Sequence, residues 1–182
     1  MMSDGELAVL SQAGRSQAFA EIVRRYETAI FRLARAFIGN ADDALDITQE
    51  TFISAHQALS KYDDARAMRI WLSTIALNKC RDLARKRKVR RLLWITDPIT
   101  EEAEAIADDQ VGIEEAVASR EELDRVKLLI SALPVALKEP LVLRTLQGLS
   151  QAETAKILGI SEKAVETRLY RARARLIEQL NA

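Results

Sequence analysis

The stretch LSQAETAKILGISEKAVETRLYRARARL at residues 149–176 reads as two short helices joined by a tight turn. Ser150 and Glu153 have the spacing of a capping box, in which each side chain satisfies the other residue's amide at a helix start. Ala152, Ala155 and Leu158 give the first helix an inner stripe, and Gly159 supplies the turn. Ser161 can cap the second helix. There Val165, Leu169, Ala172 and Leu176 recur at helical spacing and face inward. The outward face carries Lys163, Thr167, Arg168, Arg171, Arg173 and Arg175. A helix of this kind fits the major groove, with its N-terminal half reaching base edges. Arginine there pairs with guanine or clamps phosphate. Lys163, Thr167, Arg168 and Arg171 are expected nearest the bases, and Arg173 and Arg175 at phosphates or in solvent. The alternative is a helical hairpin whose basic face is merely solvated, since cations complement a helix C-terminus.

Working upstream, one helix carries Leu123, Val126, Leu129 and Leu133 and stops at Pro134. A second runs to Gln147, with Pro140 expected near its first turn, where the missing N–H does little harm. Gly148 ends it. Residues 92–119 show no clean periodicity and read as a flexible acidic linker. From Thr96 to Asp124 there are eleven acids and one base, Arg120. Trp94 lies at its start and has no assigned role.

The N-terminal part holds three more helical patterns. Phe19, Ile22, Val23, Tyr26, Ile30, Leu33 and Phe37 form an amphipathic stripe that Gly39-Asn40 ends. A helix over 42–60 has Leu45, Thr48, Phe52, Ala55 and Leu59 inside. Its outer face bears Asp43, Asp46, Gln49 and Glu50, and Asp42 and Asp43 suit the positive end of its dipole. After a polar loop, Lys61 to Met68, a third helix spans 69–87. It opens on Trp71, Leu72 and Ile75 and ends as a basic arm: Lys79 to Arg91 holds eight basic residues and one acid, Asp82. That arm is either a solvated helix end or a phosphate-binding surface. Trp71 suits a core position better than a base-stacking platform.

The 182 residues are 48% hydrophobic, with 5% aromatics, 6 glycines and 3 prolines, which favours an all-α chain with buried cores. The net charge is zero, 27 basic against 27 acidic, so nucleic-acid binding rests on how the charges segregate. A single cysteine, Cys80, excludes a disulfide framework within the chain and fits a reducing compartment. The opening MMSDGELAVL has no basic start followed by an apolar core, and no apolar run approaches ~20 residues. A cytoplasmic protein without secretory signal or membrane span is expected. His56, the only histidine, lies far from Cys80 and makes with it neither a metal set nor a nucleophile–base pair. With no Gly-rich phosphate loop either, neither a cofactor, a metal nor an enzyme is expected.

Two helical units, a basic arm closing the first and a helix-turn-helix closing the second: this order resembles the bacterial sigma factors. The length and the lack of a folded middle domain resemble the extracytoplasmic-function group. The resemblance implies sigma region 2 over residues 16–91, the acidic linker over 92–119 and sigma region 4 over 120–182. DALDITQETFISAHQAL looks like the polymerase-binding segment, which docks on a coiled coil of the largest subunit's clamp through Asp46, Gln49, Glu50 and Ser54. IWLSTIALNKCRDLARKRK looks like the −10 segment, with Asn78, Arg81, Asp82, Arg85 and Lys86 on its pattern. The preceding loop, with Asp63 and Asp64, corresponds to the specificity loop that captures a base flipped from the non-template strand. AVETRLYRARARL is similar to the −35 recognition helix, which assigns Lys163, Thr167, Arg168, Arg171 and Arg173 to DNA.

Two positions depart from the family pattern, Ala164 where threonine is usual and Thr154 where isoleucine is usual. The first puts the −35 preference in question. The melting aromatics of housekeeping sigma factors are missing, in keeping with a demand for close matches to both promoter elements. The implied partners are core RNA polymerase, promoter DNA and an anti-sigma factor that holds the protein inactive, in a stress or envelope response. The two DNA readers would be weak alone and strong once polymerase holds them at the promoter spacing. The acidic linker would thread toward the RNA exit path as a nucleic-acid mimic. Rival readings are a helix-turn-helix regulator that binds operators unaided, which leaves the N-terminal unit without a purpose, and a sigma-like decoy, which should lack the DNA-facing arginines.

Overall fold

The computed structural model describes residues 2–93, 123 and 125–181, and among these every regular element is helical. The acidic stretch read as a linker lies almost wholly outside the described residues, as does Trp94.

The chain begins with a helix that the sequence reading did not contain, α1 (Asp4–Gln12). Ser3 and Glu6 close a capping box over its first turn: the Ser3 N–H donates to Glu6 Oε2 at 2.6 Å and the Glu6 N–H to Ser3 Oγ at 3.2 Å. Leu7 and Ala8 sink into the core. The N-terminal unit therefore extends upstream of Ser16. Then come α2 (Ser16–Ile38), α3 (Ala41–Gln57), a 3-10 turn at Leu59–Lys61 and α4 (Met68–Leu93). Gly39 ends α2 in left-handed backbone, φ 85°, and Asn40 caps α3 by accepting from the Asp43 N–H at 3.0 Å. Helices α2, α3 and α4 pack pairwise around Ile22, Ile30, Leu33, Phe37, Ile47, Phe52, Leu72 and Leu77.

Thr48, Phe52, Ala55 and Leu59 are buried as expected, and Leu45 is not. Leu45 is half exposed, and the buried stripe runs Ala44, Ile47, Thr48, Thr51, Phe52 and Ala55. The buried threonines tolerate this because each hydroxyl donates to the carbonyl four residues back, Thr48 to Ala44 and Thr51 to Ile47, both at 2.7 Å. Trp71 is partly buried against the core, its ring 5.1 Å from that of Tyr62. His56 meets Phe19 edge-on at 4.7 Å. Cys80 is buried, and desolvation pushes its thiol up to about 12.

The C-terminal unit comprises α5 (125–132), α6 (Val135–Thr145), α7 (Gln151–Leu158) and α8 (Glu162–Leu180). Pro140 lies in the interior of α6, not in its first turn. The i→i−4 bond it cannot make leaves the carbonyl of Ala136 without a helical donor, and Ala136 is exposed to solvent. Leu133, Leu141, Ala155, Val165, Leu169 and Ala172 form a small core. On α7 the inward residues are Thr154 and Ala155, while Ala152 is exposed.

The two units are docked. Val142 and Leu143 of α6 and Leu149 beyond it belong to the same core as Ile22 and Phe37, with α6 against α2 and α7 against α4. Helix α6 thus has two apolar faces, one for each unit.

Thr154 is fully buried, yet its hydroxyl finds no partner among the described residues. A buried unpaired hydroxyl costs about 1–3 kcal/mol. Replacing it with the isosteric Thr154→Val is expected to stabilise the protein by about 1 kcal/mol, read as a higher urea midpoint at unchanged slope. Native Cys80 is expected to resist a chromogenic disulfide reagent until urea unfolds the chain.

Candidate nucleic-acid and polymerase interfaces

The helix-turn-helix is built as its sequence requires. Ser150 accepts from the Glu153 N–H at 3.1 Å and its own N–H reaches Glu153 Oε2 at 2.6 Å. The backbone donor of Ser150 holds the Glu153 carboxyl below its usual range. Gly159 makes the turn in left-handed backbone, φ 65°, and Ser161 caps α8 through the Ala164 N–H at 3.2 Å. At its far end, Arg125 of α5 reaches the Gln179 and Leu180 carbonyls at 3.4 and 3.5 Å. That places a cation at the negative end of the α8 dipole. Both ends of the recognition helix are therefore fixed independently of any ligand.

On α8, Lys163, Thr167 and Arg171 form one exposed stripe at i, i+4 and i+8, opposite the buried Val165, Leu169 and Ala172. Arg173 is exposed but off the stripe, and Arg168 is only partly exposed. Lys163 pairs with Glu166 at 2.8 Å, and the Thr167 hydroxyl donates to the Lys163 carbonyl at 2.9 Å. Arg171 and Arg173 make no ion pair among the described residues. The sequence reading overlooked Tyr170, which is 75% exposed on this outward face beside Arg171. Its signal was present: at i+3 from Thr167 it cannot join the inner stripe.

The expected −10 residues fall into two groups, one on α4 and one in the loop before it. Asn78, Arg81 and Arg85 share a face of α4 with Lys86 off to one side, and Asp63 and Asp64 lie in the loop before it. Met68 to Asn78 is ten residues of helix, roughly 15 Å. Asn78, Arg85 and Lys86 are exposed. Arg81 donates to Asn78 Oδ1 at 3.3 Å, and Arg85 to Asp82 at 2.8 Å. Arg81 is also engaged from outside its unit: its Nε lies 2.5 Å from Glu139 Oε1 of α6.

The loop shapes itself. Asp63 Oδ1 accepts from the Ala65 N–H at 3.0 Å, and the Tyr62 hydroxyl donates to the Arg66 carbonyl at 2.9 Å. Its back rests on α1. A methyl at Gly5 would come 3.3 Å from Asp64 Cβ, and Gln12 donates to the Leu59 carbonyl at 3.0 Å. Helix α1 is pinned to α2 in turn, as Asp4 accepts from the Tyr26 hydroxyl and, at 3.0 Å, from Arg25.

On α3, Asp46 and Gln49 are exposed and Ser54 is half-buried. Glu50 is 3.4 Å from Lys79, and Asp43 pairs with Arg87. The acidic helix face and the basic arm therefore neutralise one another along their seam, while Asp46, Gln49 and the exposed Leu45 and Ile53 stay open to a partner.

Two family models match the chain: Sigma-70 region 2 over residues 22–90 and Sigma-70 region 4 over 123–176. With both regions present in order on one helical chain, it belongs to the sigma factors of bacterial RNA polymerase. Its relatives place it in the extracytoplasmic-function group. RNA polymerase sigma factor CnrH of Cupriavidus metallidurans is 41% identical, with 99% of this chain and 95% of that protein aligned. ECF RNA polymerase sigma factor SigM of Mycobacterium tuberculosis is 35% identical over 98% of this chain and 85% of the relative. Among solved structures, CnrH in complex with the cytosolic domain of CnrY aligns with a TM-score of 0.70 and 35% identity, covering 96% of this chain and 95% of that one. Sigma factor RpoE in complex with the anti-sigma factor NepR from Bartonella quintana gives a TM-score of 0.72 at 25% identity, covering 90% and 97%.

Asp63→Ala removes the acceptor that folds the loop. One neutral hydrogen bond is worth about 1 kcal/mol net, so tryptic cleavage after Arg66 is expected to quicken about fivefold, with the global melting temperature unmoved.

Proposed function

We propose that this sigma factor binds core polymerase through the exposed face of α3 and reads two promoter elements, one with each unit. The observation that carries the reading is the stripe Lys163, Thr167 and Arg171 on a recognition helix capped at both ends. Its polar side chains are held outward by a core that needs no partner to form. Asp46, Gln49, Glu50 and Ser54 make the polymerase contact. Asn78, Arg81, Arg85 and Lys86 meet the −10 element, and the loop with Asp63 and Asp64 receives its flipped base. The −35 element meets Lys163, Thr167, Arg168 and Arg171, with Arg173 on phosphate. Polymerase supplies catalysis; the sigma subunit supplies sequence choice.

An anti-sigma factor is the second partner we propose, supported by the complexes in which CnrH and RpoE were solved. It would hold this protein off the nucleoid until a stress or envelope signal arrives. No helix among the described residues is long and apolar enough to cross a membrane.

The test is run-off transcription with core polymerase from the source bacterium and a library of its upstream regions. Transcripts that appear only on addition of the protein, from sites sharing two spaced elements, are the expected result; their absence, with no binding to core, overturns the reading. On such a promoter Arg171→Ala should cost about 1–3 kcal/mol and relax preference at one −35 position. Arg173→Ala should weaken all sequences alike and lower the salt slope by about one.

A further inference from the structure

The face of α8 assigned above to the −35 element is not wholly cationic. Glu166 lies in the second turn, between Val165 of the core and Thr167 of the outward stripe, with its side chain 58% exposed. The helix itself gives this acid little support. Glu162 already occupies the first turn, where the positive end of the dipole favours a carboxylate, and that effect fades beyond the turn. Glu162 and Glu166 are four residues apart, a like-charge spacing that destabilises a helix. The ion pair of Glu166 with Lys163, at 2.8 Å, is exposed at both partners and so adds little. It also has the lysine on the N-terminal side, the less favourable order. Toward DNA, a negative charge works against the phosphate contacts that give such a helix its affinity.

What a carboxylate can do in the major groove is specific. It accepts hydrogen bonds and donates none. Among the base edges there, cytosine offers an N4 donor and adenine an N6 donor beside an N7 acceptor, while guanine and thymine offer acceptors. Glutamate therefore suits cytosine, and it stands acceptor against acceptor to guanine or thymine, which rejects them. Lys163 holds the carboxylate beside Thr167 before DNA arrives, which reduces the freedom lost on binding. We propose that Glu166 is a specificity-determining residue of the −35 reader, its carboxylate accepting from the N4 amine of one cytosine in the major groove. The inference rests on the function proposed above, in which α8 enters that groove.

The test uses the full chain assembled with core polymerase on a promoter from the run-off screen, with each −35 base pair replaced in turn. At one pair the parent should prefer cytosine about tenfold. Glu166→Gln should move the preference at that pair to adenine, whose N6 and N7 match the two ends of an amide. Glu166→Ala should abolish it, while the other −35 preferences stand and binding to the remaining sequences tightens. A parent with no cytosine preference at any −35 pair overturns the inference. So do Glu166 variants that keep the parent's preference at every pair, or that change all sequences alike, since the acid is then only a solvated charge. Arg171→Ala, run beside them, separates the two readings, because it should relax a different pair. If it does and the Glu166 variants change nothing, this inference falls while α8 keeps its place on the −35 element. If none of the three variants alters any −35 preference, the placing of α8 on that element falls as well.

Discussion

Helix α6 must satisfy two cores at once, and the rest of the structure is arranged around that requirement. Leu137 and Leu141 face the small C-terminal core, and Val142 and Leu143 face the N-terminal bundle. Full burial of such side chains contributes about 1.5–3 kcal/mol each, which sets the scale of the docking. The charges between them contribute differently. Lys138 gives up hydration, and desolvation lowers its pKa, in exchange for the Phe37 carbonyl at the end of α2 and the Ser131 carbonyl of its own unit. That exchange adds little net stability, but it favours one register, since a slip costs the ammonium its Phe37 acceptor. Apolar area holds the units together; the polar contacts decide how.

The same division between strength and direction runs through the N-terminal bundle. The acids of α3 and the bases of α4 meet at Asp43–Arg87 and Glu50–Lys79, side chains partly open to water. Such pairs contribute at most about 1 kcal/mol and are screened by salt. Their effect is to cancel the field along the seam. The field that remains is local: Lys86, Lys88 and Arg90 at the end of the arm, Arg171 and Arg173 on α8. A chain of zero net charge can in this way present cationic patches to DNA and an acidic face to a protein.

Much of the fold was legible because it follows from local chemistry. The Ser150–Glu153 box, the Gly159 turn, the Ser161 cap and the inner stripe of α8 stand where their spacing puts them. Gly39-Asn40 ends one helix and caps the next as residue types alone dictate. What was illegible depended on contacts distant in sequence. Lys138 and Glu139 look like ordinary surface charges until α2 and α4 are brought against them. Leu45 passed for core because apolar spacing cannot tell an inner stripe from an exposed one when Ala44 and Ile47 serve equally well. Pro140 was expected near the first turn because that is a proline's preferred place in a helix, whereas here it lies inside α6 and tertiary packing outweighs the lost bond. Helix α1 was missed although Ser3 and Glu6 spell its cap, since nine residues give too few periods to register. The site followed the same rule: the outward residues of α8 were readable from periodicity, while the engagement of Arg81 was not.

The depth of the closure has a bearing on how selective a sigma factor can be. A binding-competent state populated at a small fraction reduces apparent affinity by that fraction. Docking of the two units worth a few kcal/mol would lower the apparent affinity for a single DNA contact in that proportion. Two tethered contacts would offset that cost together, because tethered sites multiply their effects. Had the interface been wholly apolar and larger, opening would demand more than two short DNA contacts supply. Had it been wholly polar, salt would release it. Three buried aliphatic side chains, one buried amide and two buried charges, one of them paired with an arginine left partly in solvent, lie between those limits. A docking surface that reuses a candidate DNA contact as its own ion-pair partner ties closure to the residue that promoter DNA would claim.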